Sequence, residues 1–582
     1  MIQEEIRNLI KDALKKLNLK IKSIVLEHPA DLKMGDYSSN IAMTLAKREK
    51  KNPKELAEKI ATEMSKMPLD RVEKIEAKNG FINFYLSKKF FAGSIKEILK
   101  EKKNFGKNDW LKGEKTIVEY TDPNPFKEFH IGHLMPNVIG EAISRIIEAC
   151  GAEVKRACYQ GDVGLHVAKT IWAMVKEKVK PSGISIPVLG KMYALGAKAY
   201  EESEEEKKEI EEINRKIYDR SDEKINKLYD SGKKKSLKYF ETIYKKLGTK
   251  FDYYFFESET GVLGKDIVEK YVGEVFEESD GAIVFRGEHF KPSLHTRVFI
   301  NKEGLPTYEA KELGLAKIKY GKYPYTNSIV ITGNEVNDYF KVLLEAMEQV
   351  FPDLAEKTRH ISHGMLRLPE GKMSSRTGEV ITAESLLSEI SEKVIEKVKK
   401  TNRGDMSDKF INQVTMAALK YSILKQAIGG DIIFDFEKSI SFEGDSGPYL
   451  QYSYARAKSI LENSKNIGLT GSLSAPAGAA LPLGPSACET PSHPNIFYCT
   501  QLERLLYRFP EIVLRSAKEF QPHHIANYLI ELARTFNTFY GNTKIVDKND
   551  PTSPFKIALT EAFSIVMKNG LNILGIEAPE KM

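Results

Sequence analysis

Thr116-Ile117-Val118-Glu119-Tyr120-Thr121-Asp122-Pro123-Asn124-Pro125-Phe126-Lys127-Glu128-Phe129-His130-Ile131-Gly132-His133-Leu134 decides the fold. Residues 116–121 read as a buried strand, Asp122-Pro123-Asn124-Pro125 as a turn, and residues from about 131 to 150 as a helix that Gly151 is placed to end. Another strand-like run follows near 154–159. Strand, turn, helix and strand in that order open a parallel α/β sheet. At the mouth of the helix stands His130-Ile131-Gly132-His133. Two histidines three apart on a first turn share one face, beside free backbone N–H groups and the positive end of the helix dipole. Such a surface suits a triphosphate, and Gly132 lets a flat base approach the backbone. Alone, the tetrapeptide suits metal ligation or capping equally well.

Outward from this stretch the chain changes texture. Residues 1 to about 106 alternate helical patterns (2–17, 39–48, 53–64) with short β-like runs such as 81–86, a small α+β module. Residues about 172–250 are helical and highly charged, and read as an exposed insertion with a solvated face. Strand signals return at 282–286, 296–300 and 328–332, where the sheet is expected to resume. Beyond about 385 the pattern is helical (385–399, 408–426, 449–463, 496–519, 523–540), an all-α C-terminal domain. A Gly/Ala/Pro-rich stretch at about 466–496 reads as a long connecting loop.

Composition narrows the function classes without choosing among them. The 582 residues exceed one hydrophobic core. With 88 basic against 81 acidic side chains the net charge is +7, compatible with a polyanionic partner but not demanding one. The four cysteines form no CxxC or CxxH spacing, which argues against a disulfide framework and against structural zinc. No stretch reads as a signal peptide, a transit peptide or a membrane span, so a cytoplasmic protein is expected.

A second motif, Lys372-Met373-Ser374-Ser375-Arg376, lies in the polar run 371–378 after a strand-like segment at 361–368. A cationic loop closing over a polyphosphate is what nucleotidyl transfer needs, since that chemistry is mostly positioning and charge neutralisation. Together the two motifs resemble the HIGH and KMSKS signatures of class I aminoacyl-tRNA synthetases. The approach Val118 to Leu134, with Pro-Asn-x-x-Lys leading into the signature, resembles the arginyl-specific form. So do Gly161-Asp162-Val163-Gly164, Thr307-Tyr308-Glu309-Ala310-Lys311-Glu312, and Gly447-Pro448-Tyr449-Leu450-Gln451-Tyr452-Ser453-Tyr454-Ala455-Arg456. The C-terminal runs 522–529 and 536–540 continue the helical resemblance, and Gly35-Asp36-Tyr37-Ser38-Ser39-Asn40 is similar to the family's N-terminal tRNA-contacting module.

The resemblance implies an α/β fold: a Rossmann-like parallel-sheet catalytic domain (107–385, with the insertion at about 172–250) between the N-terminal α+β module (1–106) and an all-α anticodon-binding domain (386–582). It implies an arginine–tRNA ligase that uses ATP with Mg²⁺ and no zinc, with tRNA(Arg) and L-arginine as partners, no membrane, and a monomeric state. Arginine would displace pyrophosphate from ATP to form arginyl-adenylate, then pass to the terminal adenosine of the tRNA through its 2′-hydroxyl. His130, His133, Lys127, Lys372 and Arg376 would be catalytic; Gly132, Met373 and Ser374 would join His130, His133 and Lys372 in holding ATP. A guanidinium needs fixed carboxylates and amide acceptors, and Glu119, Asn124, Tyr308, Glu312 and Glu335 would supply them. Tyr528, Phe539 and Tyr540 are expected to meet tRNA. Two positions depart from the family pattern: Ser375 stands where a second lysine is usual, and Glu312 where Asp is usual.

Overall fold

The computed structural model describes residues 1–369, 381–401, 405–471 and 501–582. Near the N-terminus, β1 (Tyr37–Ser39), β2 (Val72–Lys78) and β3 (Phe81–Leu86) form an antiparallel sheet in the order β1-β3-β2. Helices Ile2–Lys16, Ile41–Glu49 and Pro53–Ser65 bury their apolar stripes (Ile6 and Ile10; Leu45; Leu56 and Ile60) in a core shared with Phe84 and Leu86.

This module is docked on the C-terminal helices. Asp36 accepts a 2.7 Å bond from Arg504 with both side chains buried, and Tyr37 donates a 2.5 Å bond to Glu511. The ring of Tyr507 sits in the module's own core. Asp36 and Tyr37, expected within a tRNA-contacting segment, are therefore buried between two parts of the same chain.

The central sheet is parallel throughout: β4 (Lys115–Glu119), β5 (Glu153–Gln160) and β6 (Tyr253–Phe256) are followed, after a separate three-stranded unit, by β10 (Asn327–Gly333) and β11 (Thr358–His363). That unit is antiparallel and consists of β7 (Glu277–Ser279), β8 (Ala282–Arg286) and β9 (Thr296–Ile300). Of the strand signals expected to resume the sheet, only β10 does so; those at 282–286 and 296–300 pair with each other instead. The strand order β11-β10-β4-β5-β6 reverses between β4 and β10. In an open α/β sheet the crevice outside the carboxyl ends at such a reversal is the place for a ligand. The HIGH-like tetrapeptide follows β4 at that point.

The charged stretch 172–250 is less solvated than its composition suggests. Helices Leu165–Lys176, Ile186–Glu202 and Glu204–Asp219 pack round Trp172, Ile171 and Leu228, together with Phe126 from the turn. The long helix Glu223–Leu247 buries Phe240, Ile243, Tyr244 and Leu247 in the main core, beside Phe129. The solvated reading holds for the outer face of Glu204–Asp219, whose first turn is Glu204, Glu205 and Glu206.

The C-terminal part is helical as expected, with helices Ala383–Thr401, Asp408–Leu424, Gly447–Asn466, Phe509–Glu519 and His523–Asn542. Helical residues 501–506 are separated from Phe509–Glu519 by a turn, so the run expected over 496–519 is not continuous. Helix Ser553–Ile573 was not foreseen. Its sequence is apolar on nearly every side, and burial all round removes the amphipathic period that marks a surface helix. Most of the Gly/Ala/Pro-rich stretch 466–496 lies outside the described residues.

Candidate active site

The turn between β4 and the signature is held in a costly conformation. Thr121, Asp122 and Phe126 all have positive φ (87°, 41° and 70°), a region that L side chains rarely adopt. The surroundings enforce it. Asp122 accepts from the Tyr159 N–H at 2.7 Å, Thr121 accepts from Asn137 at 3.0 Å, and the Phe126 N–H donates to Ser236 at 3.0 Å.

At the end of this turn His130 caps the signature, its Nδ1 accepting the Gly132 N–H at 3.1 Å. That bond leaves the Nε2–H of a neutral imidazole as the donor for a ligand. The rings of His130 and His133 are stacked at 3.7 Å, and Phe129 flanks His133 at 4.9 Å. Burial, then the charge of Lys127, lowers the pKa of His130; burial, then His130 and Lys127, lowers that of His133 further. Both rings are therefore neutral donors at neutral pH. Among the described residues the buried Nδ1 of His133 has no hydrogen-bond partner, which leaves polar capacity at the site.

Lys372, Met373, Ser374, Ser375 and Arg376 lie outside the described residues. The residues just beyond them do not: the Ile131 N–H donates to the Ile381 carbonyl at 3.1 Å and the Ala383 N–H to the Phe129 carbonyl at 2.8 Å. The chain leaving the second motif is thus stitched to the first signature by backbone bonds.

Beside the histidines, carboxylates collect at the strand ends. Glu119 closes β4, Asp122 follows it, Glu257 follows β6, and Glu312 comes from helix Tyr308–Lys322. Two buried lysines answer them: Lys319 donates to Glu119 at 2.7 Å and Lys311 to Glu257 at 2.6 Å. No ion pair or hydrogen bond within the described residues takes up Glu312. Burial, then the Glu119 and Asp122 carboxylates, push its pKa well above the usual range, and burial with Glu119 does the same to Asp122. Four acids against two lysines leave an unmet demand for positive charge, which a guanidinium would meet. Asn124 adjoins this cluster, its Oδ1 so near Gly161 that a Cβ there would lie 2.3 Å away. Tyr308 stands at the rim, 62% exposed, with Lys311 5.2 Å from its ring. Glu335 is apart: it is exposed, folds over Gly333, and its charge is felt by His363 rather than by this cluster.

Sequence reading missed both lysines and the role of Asp162. Lys319 falls two turns after Glu312, so the helical period was the available signal. Asp162 accepts from Tyr229 (2.8 Å), Lys233 (2.6 Å), and the Ser258 N–H and hydroxyl (2.9 and 2.7 Å). It ties helix Glu223–Leu247 to the end of β6. The same helix abuts the turn, where any side chain at Gly232 would strike Phe126.

Among the residues expected to meet tRNA, two are corrected by burial. Tyr528 is 5% exposed and donates to the Leu505 carbonyl at 2.9 Å, while Phe539 is 0% exposed, so neither ring can stack on a base without unfolding its helix. Tyr540 is 43% exposed. Arg456, not singled out from the sequence for contact, lies 4.8 Å from the ring of Tyr452 and 4.9 Å from that of Tyr540, and bonds to Asn537. It lines a cleft of about 480 Å³ together with Tyr449, Tyr452, Asn537 and Met582.

A parallel sheet with this strand order and a HIGH-like histidine pair at its reversal point is the architecture of a class I aminoacyl-tRNA synthetase, and the model for the class I (R) tRNA synthetase catalytic domain matches residues 94–436. The arginyl tRNA synthetase N-terminal domain matches 4–86 and the DALR anticodon binding domain 450–582. The chain belongs to the arginyl-tRNA synthetase family. It is similar to the arginine–tRNA ligase of Treponema denticola, 31% identical with 96% of this chain and 95% of that one covered. That of Borrelia hermsii is 29% identical, with 100% and 99% covered. The fold matches the arginyl-tRNA synthetase of Thermus thermophilus with a TM-score of 0.78 at 24% identity, both chains fully covered, and that of Plasmodium falciparum with 0.78 at 20%, covering 100% and 99%.

Proposed function

We infer that the chain is an arginine–tRNA ligase whose substrate specificity is set by the carboxylates at the ends of β4 and β6 and on helix Tyr308–Lys322. The observation that carries this reading is the Glu312 carboxyl, which no ion pair or hydrogen bond among the described residues takes up, beside Glu119 and Asp122 in a cluster where both lysines are already engaged. A cationic side chain entering there would ionise Glu312 and gain its partner in one event. Asn124 is suited to orient the amino acid's polar end and Tyr308 to close over it. Glu335 is retained only as an outer contact.

In activation, the arginine carboxylate attacks the α-phosphorus of ATP and pyrophosphate leaves. Charge builds on the phosphate oxygens. The Nε2–H of His130, the ring of His133 and the N-terminus of helix Leu134–Ala149 are assigned to that charge, which the capped, packed signature would meet with little reorganisation. Lys127 adds a cation from the turn, and Lys372 and Arg376, with Met373 and Ser374, are assigned to the closing loop. Magnesium is taken as part of the Mg-ATP substrate. In transfer, the 2′-hydroxyl of the terminal adenosine takes the arginyl group and AMP departs.

We assign the cleft round Arg456 and Tyr452, with the ring of Tyr540 near the same guanidinium, to unstacked anticodon bases, because a guanidinium between aromatic rings offers flat faces and donors together. A cytoplasmic monomer is part of the same reading. Among the described residues no helix is long and apolar enough to cross a membrane.

Measuring Michaelis constants for Glu312→Gln tests the specificity reading. The constant for arginine should rise by about 10–100-fold, the worth of a charged hydrogen-bond partner, with that for ATP little changed. An equal rise for both substrates would make Glu312 structural.

A further inference from the structure

The helix that begins at the signature histidines ends against the last residues of the chain. On helix Leu134–Ala149, Arg145 donates to the Asn572 carbonyl at 3.0 Å and to its Oδ1 at 3.2 Å, and to Glu141 at 2.6 Å. Glu141 in turn accepts from Arg156 at 2.8 Å and from the hydroxyl of Tyr120 at 2.7 Å, next in sequence to Glu119 of the acidic cluster. Asn572 lies in the last turn of helix Ser553–Ile573, which closes through Gly575 at φ +68°. From helix Asp408–Leu424, Lys420 donates to the Gly575 carbonyl at 2.5 Å. Gly575 is the meeting point: a Cβ there would lie 3.3 Å from Lys420 Nζ, 3.8 Å from Arg145 and 3.8 Å from Glu141.

Beyond Gly575 the chain runs straight to the Arg456 cleft. Its Glu577 carbonyl accepts from Gln451 at 2.7 Å and its carboxylate from Gln413 at 2.6 Å, both on helices that wall the cleft. Met582 lines the cleft itself. A single short segment, 572–582, therefore touches the proposed anticodon site at one end and, through the Asn572–Arg145 bonds, the helix of the catalytic histidines at the other.

The groups at this junction are costly to keep. Lys420 is fully buried, and burial with the charge of Arg145 pulls its ammonium down to about 8. Glu141 is buried between two arginines, which hold it ionised against that burial. Packing alone would be served as well by apolar side chains, whereas directional polar bonds have two distinct arrangements, made and broken, that a ligand can bias.

We propose that segment 572–582, latched by Arg145 at Asn572 and by Lys420 at Gly575, relays occupancy of the Arg456 cleft to the catalytic histidines, with Arg145 and Lys420 as positioning residues that touch no substrate. The proposal rests on the cleft being the anticodon site. When a base enters beside Met582 the segment shifts, Gly575 and Asn572 move with it, and helix Leu134–Ala149 settles with His130 and His133 in register with the phosphates.

A double-mutant cycle on aminoacylation by the full-length enzyme, at saturating tRNA, separates a relay from mere support. Arg145→Met should lower kcat by about tenfold while leaving the Michaelis constants for tRNA and arginine within about twofold, the split expected when a transition-state arrangement rather than binding is lost. Arg456→Ala should raise the Michaelis constant for tRNA and lower kcat. In the double variant the kcat losses should not multiply, because each breaks the same connection. Multiplying losses, or an Arg145→Met enzyme with normal kcat, would overturn the relay. Asn572→Ala and Lys420→Met enter the same cycle, so a poorly folding Arg145 variant does not remove the test. An Arg456→Ala enzyme with normal tRNA parameters would sink the cleft assignment instead, a distinguishable outcome.

Discussion

Lys319 donates a 2.7 Å hydrogen bond to Glu119 with both side chains buried at the end of β4. From sequence, Glu119 reads as a direct partner of the substrate guanidinium. The structure gives it an internal cation first. Glu119→Gln therefore strands a buried ammonium, and stability should fall by about 3–5 kcal/mol, the cost of removing one partner from a buried pair. Denaturant melts measure this. An unchanged midpoint, with a large rise in the Michaelis constant for arginine alone, would make the substrate rather than Lys319 the principal partner of Glu119.

The histidine pair carries a pH prediction. Both folded pKa values lie below the ordinary 6.5, so the unfolded chain takes up protons first as pH falls. The stability that depends on their neutrality is full above about 6.5 and is lost as pH drops from there towards the folded values. Activation should thus stay level through pH 6.5 and decline only below it. A rate profile inflecting between pH 6.5 and 7.5, abolished by His130→Asn, would mean that a protonated ring does the work.

Lys127 sits 4.6 Å from the ring of Tyr193, on the turn that feeds the signature. With Ser375 in place of the usual second lysine, it is the nearby cation in the described part of the site. Lys127→Ala should slow pyrophosphate exchange by about 10²–10³-fold, the loss expected for one preorganised charge. Lysine restored at position 375 should recover part of it. Near-normal exchange in Lys127→Ala would leave the phosphates to the second motif alone.

Two neighbouring aromatic residues should separate cleanly. Phe539→Ala empties a core site and should cost about 3–5 kcal/mol with tRNA affinity intact in the folded fraction. Tyr540→Ala should leave the melt unchanged and weaken tRNA binding by about 10-fold or more, the worth of one stacked base. Filter binding at fixed salt reads the difference. If Tyr540→Ala binds tRNA normally, the stacking role falls.

The sheet, the turn and the histidine pair were legible because local rules govern them: a strand's apolar run, Asp-Pro-Asn-Pro, and a glycine after the helix. Helix Ser553–Ile573 was not, because a helix buried on all sides has no amphipathic period to read. Helix Glu223–Leu247 reads as solvated because lysines on its outer face dominate its composition, while every third or fourth residue (Tyr229, Gly232, Ser236, Phe240, Tyr244) is buried. The nominated site residues divide on the same line. Glu119 and Glu312 fall in one cluster because a strand end and a helix converge there, which no single stretch reveals. Tyr528 and Phe539 show the reverse: an aromatic residue at helical spacing reads alike whether it faces bases or the core. Lys319 and Lys311 share the helix of Glu312, but they meet Glu119 and Glu257 across the fold, as Arg456 meets Tyr540, and those pairings no single stretch shows.

The central claim, that this acidic pocket selects arginine for attachment to tRNA, is tested most directly by charging total tRNA with each of the amino acids in turn, with ATP present. The account predicts stable aminoacyl-tRNA with arginine alone, its 3′ end protected from periodate, and none with lysine, whose ammonium cannot span two carboxylates as a planar guanidinium does. Equal charging with lysine, or none with arginine by a folded enzyme, would contradict it.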